Sequence, residues 1–255
     1  MKSVSPQIYS LISEIQTFQS VASFSLAGGT SLALRYNHRV SEDIDFFSDN
    51  IVGVNGLILI KQQLQKKYKD DLLFCELINE ESGDQFCFLR ALIRNDNIQV
   101  KVEFIQNIFC LEKPEEIKSL RVLSRIDIGV FKLLSAANRK ANKDIYDLDI
   151  ITDELSLNLL WNCFLKRNEM TLTADKKNLF DLDGDINLQN NIVLLLEFDN
   201  IEYANIPDKP SHSNDKLRLL PDSKTWTAVK TSWRRKVKNF MIEKGLPIPP
   251  IKPIN

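Results

Sequence analysis

Leu26-Ala27-Gly28-Gly29-Thr30-Ser31-Leu32-Ala33-Leu34-Arg35-Tyr36-Asn37-His38-Arg39-Val40-Ser41-Glu42-Asp43-Ile44-Asp45-Phe46-Phe47 is the stretch that decides the fold. The apolar run Phe24–Ala27 suits a buried strand and stops at two glycines. A helix follows at once, with Thr30 or Ser31 expected near its N-cap. Glycines at such a junction let backbone approach an anion, and the free N–H groups of a first helical turn point at it. Gly28, Gly29 and Thr30 thus form a candidate cradle for a polyphosphate. No Lys-Ser/Thr pair follows, so it is not a Walker loop. Asp43-Ile44-Asp45-Phe46-Phe47 reads as a second short strand. Residues i and i+2 of a strand share a face, which sets Asp43 and Asp45 side by side. Two such carboxylates repel unless a cation lies between them, and hard oxygen ligands suit Mg²⁺ or Mn²⁺. Two solvent-facing acids on an edge strand are the other reading.

Working outward, residues 6–20 carry Ile8, Leu11, Ile12, Ile15 and Phe18 at helical spacing, with Pro6 suited to a first turn. Residues 55–69 form an amphipathic helix candidate. Strands are expected at Leu72–Ile78, Gln85–Arg94 and Ile98–Ile105, the last two joined by the turn Asn95-Asp96-Asn97. Alternation puts Val100, Val102 and Phe104 on one face and Glu103 on the other. From about Asp127 the pattern is helical, over 127–150, 155–167, 188–203 and 224–243. The shift in composition near 150 suggests two domains, an α+β unit over 1–150 and a helical unit over 151–255.

The segment from Phe131 to Leu148 holds a second constellation. In one continuous helix Lys132, Ala136, Arg139, Lys143 and Asp147 fall within about a quarter of the circumference. Such a cationic stripe could face a triphosphate or only water, and Asn138 or Asn142 could break the helix.

Taken together, a strand, a Gly-Gly-Thr turn, a helix and an Asp-x-Asp strand, with twelve residues between Thr30 and Asp43, match the spacing of the nucleotidyltransferase fold shared with DNA polymerase β. The stretch resembles more narrowly the AbiEii/AbiGii-type nucleotidyltransferases, toxins of bacterial abortive-infection and toxin–antitoxin systems. The resemblance covers about residues 24–150 and includes the later Lys132, Arg139 and Lys143-Asp144-Ile145-Tyr146-Asp147-Leu148 element. It implies a polymerase β-like mixed sheet with flanking helices and a C-terminal helical domain. It implies that Gly28, Gly29, Thr30 and Ser41 contact the triphosphate of an NTP, with Arg39 a further phosphate contact or a loop cap. Asp43 and Asp45 would bind Mg²⁺ or Mn²⁺, and Glu103 would be a third metal ligand or a base. Lys132 would neutralise the leaving pyrophosphate, and Asp147 matches a position tied to catalysis. The implied reaction moves NMP from NTP to an acceptor hydroxyl. The implied partners are an RNA acceptor, plausibly the tRNA 3′ end, and a cognate antitoxin. A small-molecule acceptor and a non-catalytic nucleotide- or RNA-binding module are the alternatives.

The rest of the composition narrows the class. The 255 residues carry 33 Lys+Arg and 34 Asp+Glu, a formal charge of -1, which excludes a globally basic nucleic-acid coat. Cys75, Cys87, Cys110 and Cys163 form no CxxC pair, and His38 and His212 are the only histidines, so a structural zinc site is not expected. Scattered cysteines, no signal-like start and no apolar stretch near ~18 residues suggest a cytoplasmic protein without a membrane span. His38 is expected to orient the loop before the aspartate pair. Asp181-Leu182-Asp183-Gly184-Asp185 lacks the spacing of a calcium loop and reads as a turn with capping carboxylates. Residues 212–240 are locally basic. Trp226 and Trp233 share a helical face there, suited to core packing, while the basic side could track an RNA backbone. The proline-rich end from Gly245 reads as an extended tail.

Overall fold

A computed structural model describes residues 2–171, 187–198 and 217–249. Its order is α1 (Pro6–Ile15), β1 (Ser25–Leu26), α2 (Gly28–Tyr36), β2 (Ile44–Phe47), α3 (Gly53–Tyr68), β3 (Leu72–Ile78), β4 (Phe88–Asn95), β5 (Ile98–Ile105), β6 (Glu115–Ile117), β7 (Leu120–Val122), α4 (Arg125–Arg139), α5 (Asn142–Ile151), α6 (Leu157–Thr171) and α7 (Trp226–Glu243). The strands form one mixed sheet in the order β3-β4-β5-β2-β1-β7-β6. β2 runs parallel to β5 and β1 parallel to β7, while the remaining pairs are antiparallel. This is the α+β architecture expected.

The period-two pattern of β2 and β5 sorts the two faces of the sheet. Ile44, Phe46, Val100, Val102 and Phe104 are buried, and Phe46 stacks on Phe104 at 5.2 Å. The opposite face of the same strands carries Asp45, Lys101 and Glu103. The alternation thus gives one chemically polar face at the centre of the sheet, where α2, α4 and α5 come together around it.

One element is new and three expectations are corrected. The hairpin β6–β7 has no counterpart in the sequence reading. Its turn residues Lys118 and Ser119 both adopt positive φ, 51° and 61°, without the Asn-Gly or Asp-Gly signature of such turns. The helix after the diglycine opens at Gly28, with Ala27 at the N-cap, so Thr30 and Ser31 lie inside the first turn. Residues 188–203 do not make an α-helix where described: only a 3-10 turn spans Ile192–Leu196, and the Leu195 carbonyl accepts from Trp233 Nε1 at 2.8 Å. The helix expected over 127–150 is two helices, α4 and α5. Lys140 caps α4 in the left-handed region, at φ 56°, and Ala141 is extended.

The 150 boundary falls in the last turn of α5, and buried apolar residues on both sides of it belong to one contiguous core. α7 contributes Trp233, Val237, Phe240 and Met241 to that core. The fully buried Asp149 ties α7 to α5, since it pairs with Lys224 and Lys236 at 2.9 Å each. The Asp181–Asp185 turn, His212 and the last six residues lie outside the described residues.

Candidate active site

The site begins at the bend between β1 and α2. Gly28 has φ +62°, and a Cβ there would stand 2.0 Å from Asp45 Oδ2. Only glycine allows this, because the backbone conformation disfavours a side chain and the carboxylate fills the space one would need. The first-turn amides of α2 have no partner within the helix. Asp45 therefore lies directly against the bend. At Gly29 the crowding alone applies: a Cβ would meet Arg39 Nη2 at 2.1 Å and Ser41 Oγ at 3.2 Å. The loop after α2 folds back over the diglycine. Asn37 makes the reversal in the left-handed region at φ 48°, a conformation asparagine tolerates.

Thr30 and Ser41 fasten this loop to the helix. Their hydroxyl oxygens are 2.9 Å apart, and Thr30 also donates to the Asp43 carbonyl. Both residues are buried. The C-terminal part of the chain adds a strap. Arg39 bridges Leu219, the Val40 amide donates to the Arg218 carbonyl at 2.8 Å, and Arg218 pairs with Glu42.

Beneath the loop lies a buried ion network centred on α5. Asp147 Oδ1 accepts from His38 Nε2 at 2.8 Å and Arg39 Nε at 2.6 Å, and Oδ2 accepts from Arg39 Nη2 at 2.7 Å. Lys132 Nζ stands 2.7 Å from Asp147 Oδ2 and donates to Asp144 Oδ1 at 2.7 Å. Arg139 grips Asp144 from the other side at 3.0 Å. Burial alone would raise both aspartates, but Arg39 and Lys132 hold Asp147 well below the usual carboxylate range, and Arg139 and Lys132 hold Asp144 low. His38 also stacks on Tyr146, with ring centroids 5.7 Å apart.

The break at Lys140 creates this network. In an unbroken helix Lys132 and Asp144 would lie about 18 Å apart along the axis. The reversal brings them into contact. Lys132, Arg139 and Asp147 are therefore assembled by a helix–turn–helix and not by a stripe along one helix. Lys143, the stripe's remaining cation, takes no acid partner among the described residues. Its ammonium is held below the usual lysine range by burial and by the charges of Arg139 and Lys132.

Asp43 and Asp45 differ from every other acid here. Neither side-chain carboxylate accepts a hydrogen bond or ion pair among the described residues, whereas Glu103, Asp144, Asp147 and Asp149 are all paired. Burial, then the charges of Glu103 and Asp43, push Asp45 up to about 6, against the pull of Lys101. Two adjacent carboxylates without a resident partner fit a divalent cation. Glu103 does not offer the same. It pairs in register with Asp45 across β5 and β2, but Oε1 accepts from Arg90 Nε at 2.7 Å and Oε2 from Lys101 Nζ at 2.9 Å. No group of three or more His, Cys, Asp or Glu side chains suited to a metal ion occurs among the described residues.

The sequence-derived residues Gly28, Gly29, Thr30, Arg39, Ser41, Asp43, Asp45, Glu103, Lys132 and Asp147 thus gather around one end of the β2–β5 pair. Asp144, quoted within the motif but given no role, is the residue that reading missed. Its signal was the Asp-x-x-Asp spacing, which sets Asp144 and Asp147 on one face of α5. Lys101 and Arg90 were missed as well: Lys101 shares the face of Glu103 by alternation, and the strand register brings Arg90 to it.

Comparison with known proteins gives the family and the fold. The family model described as nucleotidyl transferase AbiEii toxin, type IV TA system, matches residues 11–246. An uncharacterized Aquifex aeolicus (strain VF5) protein, aq_aa25, is 31% identical over 127 residues, and the match spans 49% of this chain and 55% of that protein. The solved structure of MenT4, a nucleotidyltransferase toxin of Mycobacterium tuberculosis H37Rv, superposes with a TM-score of 0.50 at 14% identity, covering 91% of this chain and 84% of that one. At that identity the likeness speaks to fold alone. With the family model spanning nearly the whole length, the chain belongs to the AbiEii nucleotidyltransferase toxin family of type IV toxin–antitoxin systems.

Proposed function

We propose that the protein transfers a nucleoside monophosphate from an NTP to the hydroxyl of an RNA acceptor, the tRNA 3′ end, in a reaction that depends on Mg²⁺ or Mn²⁺. The observation that carries this reading is the contact between the Gly28 backbone and the unpaired Asp45 carboxylate. A polyphosphate on the α2 amides would lie beside two carboxylates that take no protein partner among the described residues. A bound divalent cation would neutralise phosphate charge and acidify the attacking hydroxyl.

The chain's own residues have distinct parts in this scheme. Gly28, Gly29 and Thr30 present backbone amides. Ser41 and Arg39 hold the turn in shape from above, since Arg39 is already committed to Asp147 and packed on Gly29. Asp43 and Asp45 hold the cation. Lys132 and Lys143 supply positive charge to the pyrophosphate as it leaves. Asp147 is a positioning residue: fully buried, it orients Lys132 and Arg39. The helical part beyond 150 lends the basic side of α7 to the acceptor, where Arg235 is exposed. Its tryptophan face is not available to bases, because Trp233 is fully buried. A cognate antitoxin would restrain the activity in the cytoplasm. No helix among the described residues is long and apolar enough to cross a membrane.

The test is incubation of the purified protein with each labelled NTP in turn, Mg²⁺ and total RNA. Label should enter RNA from at least one NTP, and Asp43→Ala should abolish it. Label that never joins RNA, or growth arrest undiminished by Asp43→Ala, would overturn the proposal.

A further inference from the structure

The polar face of the sheet carries a cation where the carboxylates are densest. Asp45, Glu103 and Arg90 pair in register across β2, β5 and β4. Lys101 lies two residues before Glu103 and so shares its face. Continuing the Ile44–Val102 register by one residue sets Asp43 alongside Lys101. The Lys101 ammonium stands 2.9 Å from Glu103 Oε2, and its side chain is only 22% exposed. Arg90 occupies the other Glu103 oxygen at 2.7 Å. With one cation on each oxygen, the negative charge of Glu103 is already matched by two positive charges. The opposite holds for Asp43 and Asp45, which take no protein partner among the described residues.

We infer that Glu103 is a positioning residue, not a metal ligand: it fixes the Lys101 ammonium beside Asp43 and Asp45, so that a divalent cation is held by two aspartates and the protein supplies the second positive charge itself. The inference rests on the metal-dependent reading of the site and concerns how many ions it takes. The physical logic is charge balance. Three carboxylates in adjacent register would attract two divalent ions, but one is neutralised by Arg90 and Lys101. A second ion would have to approach a fixed ammonium at close range in a half-buried cleft, where like charges repel strongly. Lys101 is also stiffly placed, since a strand interior and an ion pair both constrain it.

The experiment counts Mn²⁺ ions bound to the full chain by electron paramagnetic resonance, with no nucleotide and no turnover. The wild-type protein should bind one Mn²⁺. Asp45→Asn should weaken it by about tenfold or more, as loss of a ligand does, whereas Glu103→Gln should leave affinity within about threefold. Lys101→Met removes the fixed charge and frees one Glu103 oxygen, so a second Mn²⁺ should bind. Lys101→Arg keeps the charge and should still bind one. It also covers the case in which the methionine variant fails to fold. Two ions on the wild type, a Glu103→Gln loss as large as that of Asp45→Asn, or a second ion on Lys101→Arg would each overturn the inference. A wild-type protein that binds none would overturn the metal-dependent reading itself, and this inference with it.

Discussion

Replacing Gly28 with alanine makes two separable demands on the bend, and a second glycine in the same chain allows them to be told apart. Gly28 has φ +62° and Gly245 has φ +66°, so alanine at either position meets the same left-handed backbone penalty. That penalty is about 1–2 kcal/mol. At Gly245 an added Cβ finds nothing within 4 Å, and the cost ends there. At Gly28 the Cβ would stand 2.0 Å from Asp45 Oδ2, 2.9 Å from its Cγ and 3.2 Å from its Cβ, where 3.4 Å is ordinary contact. The Asp45 carboxylate would have to move by more than about 1 Å, and overpacking of this kind typically costs about 1–3 kcal/mol more. Because the group displaced is the proposed cation ligand, transfer activity should fall by about 100-fold. Urea unfolding of both variants reads the stability difference, and label transfer reads the chemistry. Gly245→Ala should lose only the backbone term and keep full activity. A Gly28→Ala protein that unfolds with Gly245→Ala and still turns over normally would refute the claim that Asp45 is seated against the diglycine bend.

Asp147→Ala should cost about 3–5 kcal/mol, since it leaves buried Arg39, Lys132 and His38 without their shared anion, and a loss below about 1 kcal/mol in urea unfolding would show that the network is not structural. The pH dependence of Asp45 has a definite sign. Its folded value, about 6, lies above the ordinary 3.8, so its contribution to stability is full below about pH 4 and is lost as pH rises through 6. Without metal, wild-type minus Asp45→Asn stability should therefore fall between about pH 4 and 6, by at most about 3 kcal/mol; a flat difference would contradict the burial of the ionised carboxylate. Lys236→Met should destabilise the α5–α7 junction by about 2 kcal/mol in the same assay, because Lys236 donates to the Asp149 carbonyl and Thr152 and pairs with the buried Asp149 carboxylate, yet it should leave label transfer intact.

Much of the fold could be read from local pattern. β3 and β5 have the bounds their apolar runs suggest, and α1, α3 and α7 follow their 3.6-residue periods. What escaped had no local signature. The β6–β7 hairpin turns on Lys118 and Ser119, which adopt positive φ without the Asn-Gly or Asp-Gly signature of such turns. The 3-10 turn at Ile192–Leu196 sits in an apolar run, where periodicity cannot separate helix from other buried structure.

The site was legible as a set of residues but not as a geometry, and the two failures have one physical origin. Lys132 and Asp147 are fifteen residues apart, which a single helix would render as neighbours on a face separated by several turns. A left-handed Lys140 and an extended Ala141 fold that face onto itself, and the separation collapses to 2.7 Å. Likewise Glu103 reads as a lone acid on an amphipathic strand until strand register brings Arg90 to one oxygen, with Lys101 of the same strand on the other. In both cases the sequence names the charged groups, while one backbone reversal or one register decides which charges cancel. The acids that stay uncancelled, Asp43 and Asp45, are the ones set against the glycine that leaves them room. The absence of a side chain at Gly28 and the absence of a partner for the Asp45 carboxylate among the described residues therefore meet at one place, where the proposed cation and phosphates would lie.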